Sequence, residues 1–170
     1  MLCLVILIVI QTLAAMKMSV LNKLLEQRAY TDAHTGLPNK DACEVLLNNK
    51  ETVAEHTACM MFDLNNLKII NDTKGHSKGD QLILNFARLL RNVIPQKDFV
   101  GRYGGDEFMV VIYNTSKTEI EDILKQLSRE KDRLNSSGNN MPIDYACGWA
   151  ISDADSECTI CLLYTSPSPR

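Results

Sequence analysis

Gly104 and Gly105 stand between two short apolar runs, Phe99 to Tyr103 and Glu107 to Ile112. A residue without a Cβ adopts positive dihedrals freely, so a glycine pair lets the chain reverse within a few residues. Residues 99–112 are therefore expected to form an antiparallel hairpin, with Asp106 and Glu107 extending from its turn. Other elements must cover that hairpin. Thr57 to Asp63 reads as a buried strand that ends in a carboxylate. Gly79 to Ile94 carries Leu82, Ile83, Phe86, Ala87, Leu90, Val93 and Ile94 on one stripe, an amphipathic helix stopped by Pro95. Ile120, Ile123, Leu124 and Leu127 give Lys117 to Leu134 a helical period, and Lys40 to Asn49 fits a short helix. Ser136 to Asn140 is a loop, and Ile143 to Ile151 a strand. Strands and helices thus alternate about a central sheet, an α/β (α+β) class without internal repeats.

The two ends differ from this middle. Met1 to Met16 has no charge, with only Gln11 and Thr12 polar. As a helix it spans about 24 Å, short of a ~30 Å hydrocarbon core, and it lacks the basic start of a secretory signal. Three arrangements suit it: the end of a transmembrane helix, an uncleaved signal-anchor, or a buried or partner-packed helix. Lys17, Lys23 and Arg28 follow, so the positive-inside tendency puts the remainder in the cytoplasm, at the inner (cytoplasmic) membrane. Residues 1–17 are assigned as this apolar helix and 18–30 as a linking helix able to pair with a second copy through Val20, Leu21, Leu24 and Leu25. Residues 161–170, with two prolines and no helical period, read as an irregular tail.

The formal net charge of −3 offers no basic field to a nucleic acid. Six cysteines lie scattered in apolar runs, the pattern of buried thiols in a reducing compartment rather than of a disulfide frame. Cys158 and Cys161 form a lone C-x-x-C, with neither a second pair nor a nearby histidine to make a zinc site.

Three features carry chemistry. Asp63 closes an apolar strand, where a carboxylate either bonds a turn or ligates a metal. Asp106 and Glu107 leave the glycine turn either as solvated acids or, if the turn lies beside Asp63, as further ligands of Mg²⁺, a cation that takes oxygen and shares itself with phosphates. Asn71 to Asp80 is a polar, turn-rich link into the long helix. Asp80 there either caps that helix or, with Asn71, reads a base. A carboxylate that accepts from N1–H and the 2-amino group of guanine excludes adenine.

Four blocks in order resemble the GGDEF domain of the diguanylate cyclases. They are Asp32-x-x-Thr35-Gly36-Leu37-Pro38-Asn39, Phe62-Asp63-Leu64-Asn65-Asn66-Leu67-Lys68-x-Ile70-Asn71-Asp72, Gly75-His76-x-x-Gly79-Asp80 and Arg102-Tyr103-Gly104-Gly105-Asp106-Glu107-Phe108. The resemblance implies a ferredoxin-like, polymerase-palm-related sheet flanked by helices over residues 31–160. It implies condensation of two GTP into cyclic di-GMP with loss of two pyrophosphates, using Mg²⁺ or Mn²⁺. By the same resemblance Asp63, Asp106 and Glu107 hold metal with the Leu64 carbonyl, and Asp106 and Glu107 form the catalytic pair. Gly104 and Gly105 pass the phosphates, Asn71 and Asp80 read guanine, and Lys68 serves a phosphate or the local structure. Each domain would hold one GTP, so a homodimer is required.

The chain also departs from the family pattern. The product-inhibition motif R-x-x-D would put its arginine at Pro95, with Asp98 retained, so tight product feedback is not expected. Asn65 and Leu67 replace a frequent Asp and Phe, and His34 a usual Leu. After Ala146 to Ala150 the family continues into a helix with a lysine and an arginine for the terminal phosphates. Residues 161–170 supply neither in that role, so the expectation is a domain without its last helix and with weakened GTP binding.

Overall fold

The computed structural model describes residues 2–48, 56–138 and 141–152. Its order is α1 (Leu2–Ala29), α2 (Lys40–Asn48), β1 (Ala58–Leu64), α3 (Leu67–Lys74), α4 (His76–Val93), β2 (Phe99–Arg102), β3 (Glu107–Ile112), α5 (Lys117–Ser136) and β4 (Tyr145–Ile151). The strands form one sheet in the order β2-β3-β1-β4, with every neighbouring pair antiparallel. β1 and β2 therefore run the same way with β3 between them, and β3 and β4 the same way with β1 between. This is the split βαβ arrangement of ferredoxin-like folds.

Strand alternation builds two cores. Ala58, Met60, Phe62 and Leu64 of β1 and Phe108, Val110 and Ile112 of β3 face α4 and α5. There Phe86 stands edge-on to Phe62 and Phe108, at 5.9 and 5.0 Å between ring centroids. The alternate residues Cys59, Met109 and Val111 face the other way, onto Cys43 and Leu47 of α2. Burial pushes the Cys43 and Cys59 thiols up to about 12, and both cysteines are free, as expected of thiols that serve as packing.

Three sequence readings shift. The polar link at Asn71 to Asp80 is mostly helix: α3 runs to Lys74, and only Gly75, at φ +84°, separates it from α4. Leu67 and Ile70, three apart, pack this short helix on the core, and that contact overrides its polar composition. Asp80 is thus the fifth residue of α4 and does not cap it. The third shift is at Asp63, which lies next to last in β1 and is exposed. The hairpin runs, the Pro95 stop and the long helices stand as expected, and α5 starts in a full capping box between Ser116 and Glu119. Residues 153–170, with Cys158, Cys161 and the tail, lie outside the described residues.

α1 is one continuous helix, and Cys3–Ala29 is long and apolar enough to cross a membrane. Its Leu4 to Ile10 side chains are exposed, as are Val20, Leu21, Leu24 and Leu25. Its C-terminal end is fastened to the domain by Asn39, whose side-chain amide donates to the Ala29 carbonyl at 2.7 Å and whose backbone N–H donates to the Tyr30 carbonyl at 3.0 Å. The same side chain accepts from the Ala42 N–H at 3.1 Å, so one residue closes α1 and opens α2.

Candidate active site

The site begins where β1 and β3 leave the sheet. Asp63 and Glu107 are directly opposed across the two strands. The Leu64 N–H donates to the Asp106 carbonyl at 2.9 Å, which draws the glycine turn against the end of β1. Asp63, Asp106 and Glu107 thus lie at one sheet tip, at the ends of strands that are otherwise mostly buried. Among the described residues none of the three has an ion-pair partner. Like charges opposed across strands repel, and a cation between them relieves that cost.

The donor set is all oxygen, which fits a hard divalent ion. Among the described residues no three His, Cys, Asp or Glu groups converge closely enough to enclose a metal by themselves. A Mg²⁺ ion held here would need waters and substrate phosphate to complete its shell.

Gly104 leaves room for its neighbour's carboxylate. A Cβ there would lie 2.7 Å from Glu107 Oε2, so the carboxylate folds back over the space that a side chain would fill. A Cβ on the exposed Gly105 would meet nothing within 4 Å. The turn is closed by donation from the Tyr103 and Gly104 N–H groups to the Glu107 carbonyl, at 2.8 and 3.1 Å.

Arg102 holds this turn from behind. Its Nε donates to the Gly104 carbonyl at 3.1 Å and its Nη2 to the Gly105 carbonyl at 2.8 Å, while Nη1 reaches Asp32 Oδ1 at 3.3 Å. Asp32 Oδ1 also accepts from the Thr35 N–H at 2.8 Å and the Thr35 hydroxyl at 2.6 Å. Sequence reasoning named Arg102 and Asp32 only as motif members. The Asp32-x-x-Thr35 spacing does announce a side-chain turn, but nothing in it announces the partner 70 residues away.

Burial pushes the Asp32 carboxyl up, but the Thr35 bonds and the Arg102 guanidinium outweigh it and hold the group below the usual carboxylate range. The folded-state value lies below the unfolded one. Its contribution to stability is therefore present above about pH 4 and is lost as pH falls through the folded value. Urea unfolding between about pH 5 and 3 should show the parent chain losing stability faster than Asp32→Asn. Parallel curves would refute the linkage.

The base-reading candidates sit one short helix away. Asn65 and Asn66, the latter at φ +63°, are the only residues between β1 and α3. Asn65 turns its amide outward, donating to Asp144 Oδ2 at 2.9 Å, and its N–H donates to the Asp144 carbonyl at 2.9 Å. α3 carries the exposed Lys68 and the half-buried Asn71, whose carboxamide lies against Gly79, next to the exposed Asp80. The structure therefore gathers Asp63, Leu64, Gly104, Gly105, Asp106 and Glu107 at the sheet tip, and Asn71 and Asp80 on α3 and α4. Lys68 makes no hydrogen bond or ion pair among the described residues.

Asp98 lies apart from both groups. Its Oδ1 accepts from the Tyr113 N–H at 3.1 Å, and its Oδ2 is buried without a partner among the described residues. A cavity of about 500 Å³ lies beside it, lined in part by Arg91, Pro95 and Phe99. Arg91 donates to the Gly36 carbonyl at 2.5 Å.

The family described as "Diguanylate cyclase, GGDEF domain" matches residues 29–163. The signaling protein YkoW of Bacillus subtilis is 31% identical over 140 residues, 78% of this chain and 18% of that protein. Diguanylate cyclase DgcP of Escherichia coli is 33% identical over 113 residues, 64% of this chain and 33% of that one. Other relatives are named cyclic di-GMP phosphodiesterases. The chain thus spans a third or less of the curated relatives it matches first. Among solved structures, the GGDEF domain of DgcB from Caulobacter crescentus, in complex with c-di-GMP, superposes with a TM-score of 0.63 at 27% identity, over 75% of this chain and 80% of that one. With the four motif blocks, the split βαβ sheet and a family match over most of its length, the chain belongs to the GGDEF domain family of the diguanylate cyclases.

Proposed function

We propose that the chain is a diguanylate cyclase that condenses two GTP into cyclic di-GMP and two pyrophosphates. The observation that carries this reading is the placement of Asp63, Asp106 and Glu107 at one sheet tip, without cationic partners among the described residues, beside a glycine turn. Asp63, Asp106, Glu107 and the Leu64 carbonyl would hold Mg²⁺ or Mn²⁺. When bound, the ion neutralises charge at the α-phosphate and favours ionisation of the attacking 3′-hydroxyl. The chain's own residues do the positioning. Gly104 and Gly105 let the main chain approach the phosphates, and Lys68 adds a positive charge on that side. Asn71 and Asp80 select guanine.

One domain holds one GTP, and the bonds formed join two. A second copy must therefore face the first, with residues 18–30 as the pairing helix. Residues 1–17 would anchor the dimer in the cytoplasmic membrane, with residues 31–160 as the catalytic domain on its cytoplasmic side. No nucleic acid takes part. Incubating the full chain in detergent with GTP and Mg²⁺, then separating the nucleotides, tests the reading, with cyclic di-GMP as the expected product.

One observation favours a second reading, a catalytically silent module that binds GTP or a partner as a regulator: similar stretches occur in relatives named phosphodiesterases. GTP bound but unconverted by folded protein would select it. Absence of both GTP binding and turnover would refute the cyclase reading.

Pro95 and the Asp98–Tyr113 bond bear on feedback. Asp98 is engaged with Tyr113, just beyond β3, and no arginine stands at 95 to complete a product clamp. Added cyclic di-GMP should leave the initial rate unchanged at micromolar concentrations. Half-inhibition below about 1 μM, an affinity worth about 8 kcal/mol, would require a clamp that these residues do not form.

A further inference from the structure

Gly79 lies buried as the fourth residue of α4, where alanine would be the better helix former. Its φ is ordinary for a helix, so no backbone conformation calls for glycine. What calls for it is a side chain. A Cβ at Gly79 would stand 2.0 Å from Asn71 Oδ1, 2.9 Å from Asn71 Cγ and 3.2 Å from Leu67 Cδ1. The oxygen end of the Asn71 carboxamide fills the volume a methyl would need.

We infer that Gly79 is a specificity-determining positioning residue: it seats the Asn71 carboxamide beside Asp80, in the pose that accepts from the guanine 2-amino group. This rests on the reading of Asn71 and Asp80 as base readers. Asn71 has a short reach, and Leu67 Cδ1 also stands close, 3.2 Å from the same Cβ position. A methyl at 79 therefore drives the carboxamide off the seat, while Asp80, which points from the next residue, stays on the helix. A packing glycine with no such duty would affect stability and leave base preference alone.

The test is a double-mutant cycle on the full chain in detergent with Mg²⁺, reading displacement of a fluorescent GTP analogue by unlabelled GTP or by ITP, which lacks only the 2-amino group. Gly79→Ala should weaken GTP by about tenfold and ITP by less than threefold, the scale of one lost hydrogen bond. In an Asn71→Ala background the same substitution should change neither, because the oxygen it displaces is gone. An unchanged GTP-to-ITP ratio in Gly79→Ala, or an equal further loss in the Asn71→Ala background, overturns the inference.

If Gly79→Ala does not fold, the double variant decides through thermal stability. Recovery of folding on removal of the Asn71 oxygen supports the seat, and failure to recover overturns it. A parent chain that binds GTP and ITP equally would instead remove the base-reading assignment itself. The stability arm would then still report whether the Asn71 contact is what demands a glycine.

Discussion

Asp106→Ala should lower cyclic di-GMP formation by about a thousandfold or more while shifting stability by no more than about 0.5 kcal/mol. The two halves of this result have separate causes. The tie that seats the turn on β1 runs from the Leu64 N–H to the Asp106 backbone carbonyl, and it survives the substitution. The carboxylate makes no hydrogen bond among the described residues and stands near two other acids, so its removal costs the fold little and relieves repulsion. Metal charge at the α-phosphate is worth several kcal/mol in the transition state, and each 1.36 kcal/mol is tenfold in rate. Asp106→Asn should be nearly as inactive, because the shape returns without the charge. More than a tenth of the parent rate in Asp106→Ala would refute the assignment.

Arg102→Ala should behave in the opposite way, with stability and turnover falling together. The guanidinium side chain is 14% exposed and Asp32 23% exposed, so both are mostly withdrawn from water. Truncation strands the Gly104 and Gly105 carbonyls and leaves Asp32 without its counter-charge. The cost should be about 2–3 kcal/mol in urea unfolding. Activity should fall by about a hundredfold, since a small displacement of groups that orient phosphate is enough for that. Arg102→Lys should recover only part of either loss, because one ammonium cannot span two carbonyls and a carboxylate at once. An Arg102→Ala protein with full turnover would show that the turn keeps its shape unaided.

How far the sequence carries can be judged element by element. β3 was legible to the residue, because a glycine pair, two acids and an apolar run leave one register. α4 was legible in its apolar stripe but not at its start: Gly75 and His76 look like loop residues, and only the packing of Leu67 and Ile70 makes α3 a helix up to that point. At the site, residue types mark Asp63, Asp106, Glu107, Asn71 and Asp80 as candidates. What stayed hidden was everything that depends on distance across the fold. Arg102 reaches Asp32 over 70 positions, and Asn65 meets Asp144 over 79. Gly79 looks like a helix defect until the Asn71 oxygen is found in its methyl space. Local patterns encode periodicity and turn chemistry, whereas such pairings are decided by the final packing.

The fastening of α1 through Asn39 has a mechanical consequence. A helix of 28 residues is a rod about 42 Å long. Had it ended in slack chain, its tilt or twist would be lost in the joint. Instead its last carbonyls are gripped by the residue that begins α2. The strand of backbone just beyond runs through Asp32 to the arginine behind the glycine turn. The rod is therefore joined to the sheet tip through a chain of hydrogen bonds with no slack segment between, so that a rotation at its distant end would be carried toward the glycine turn.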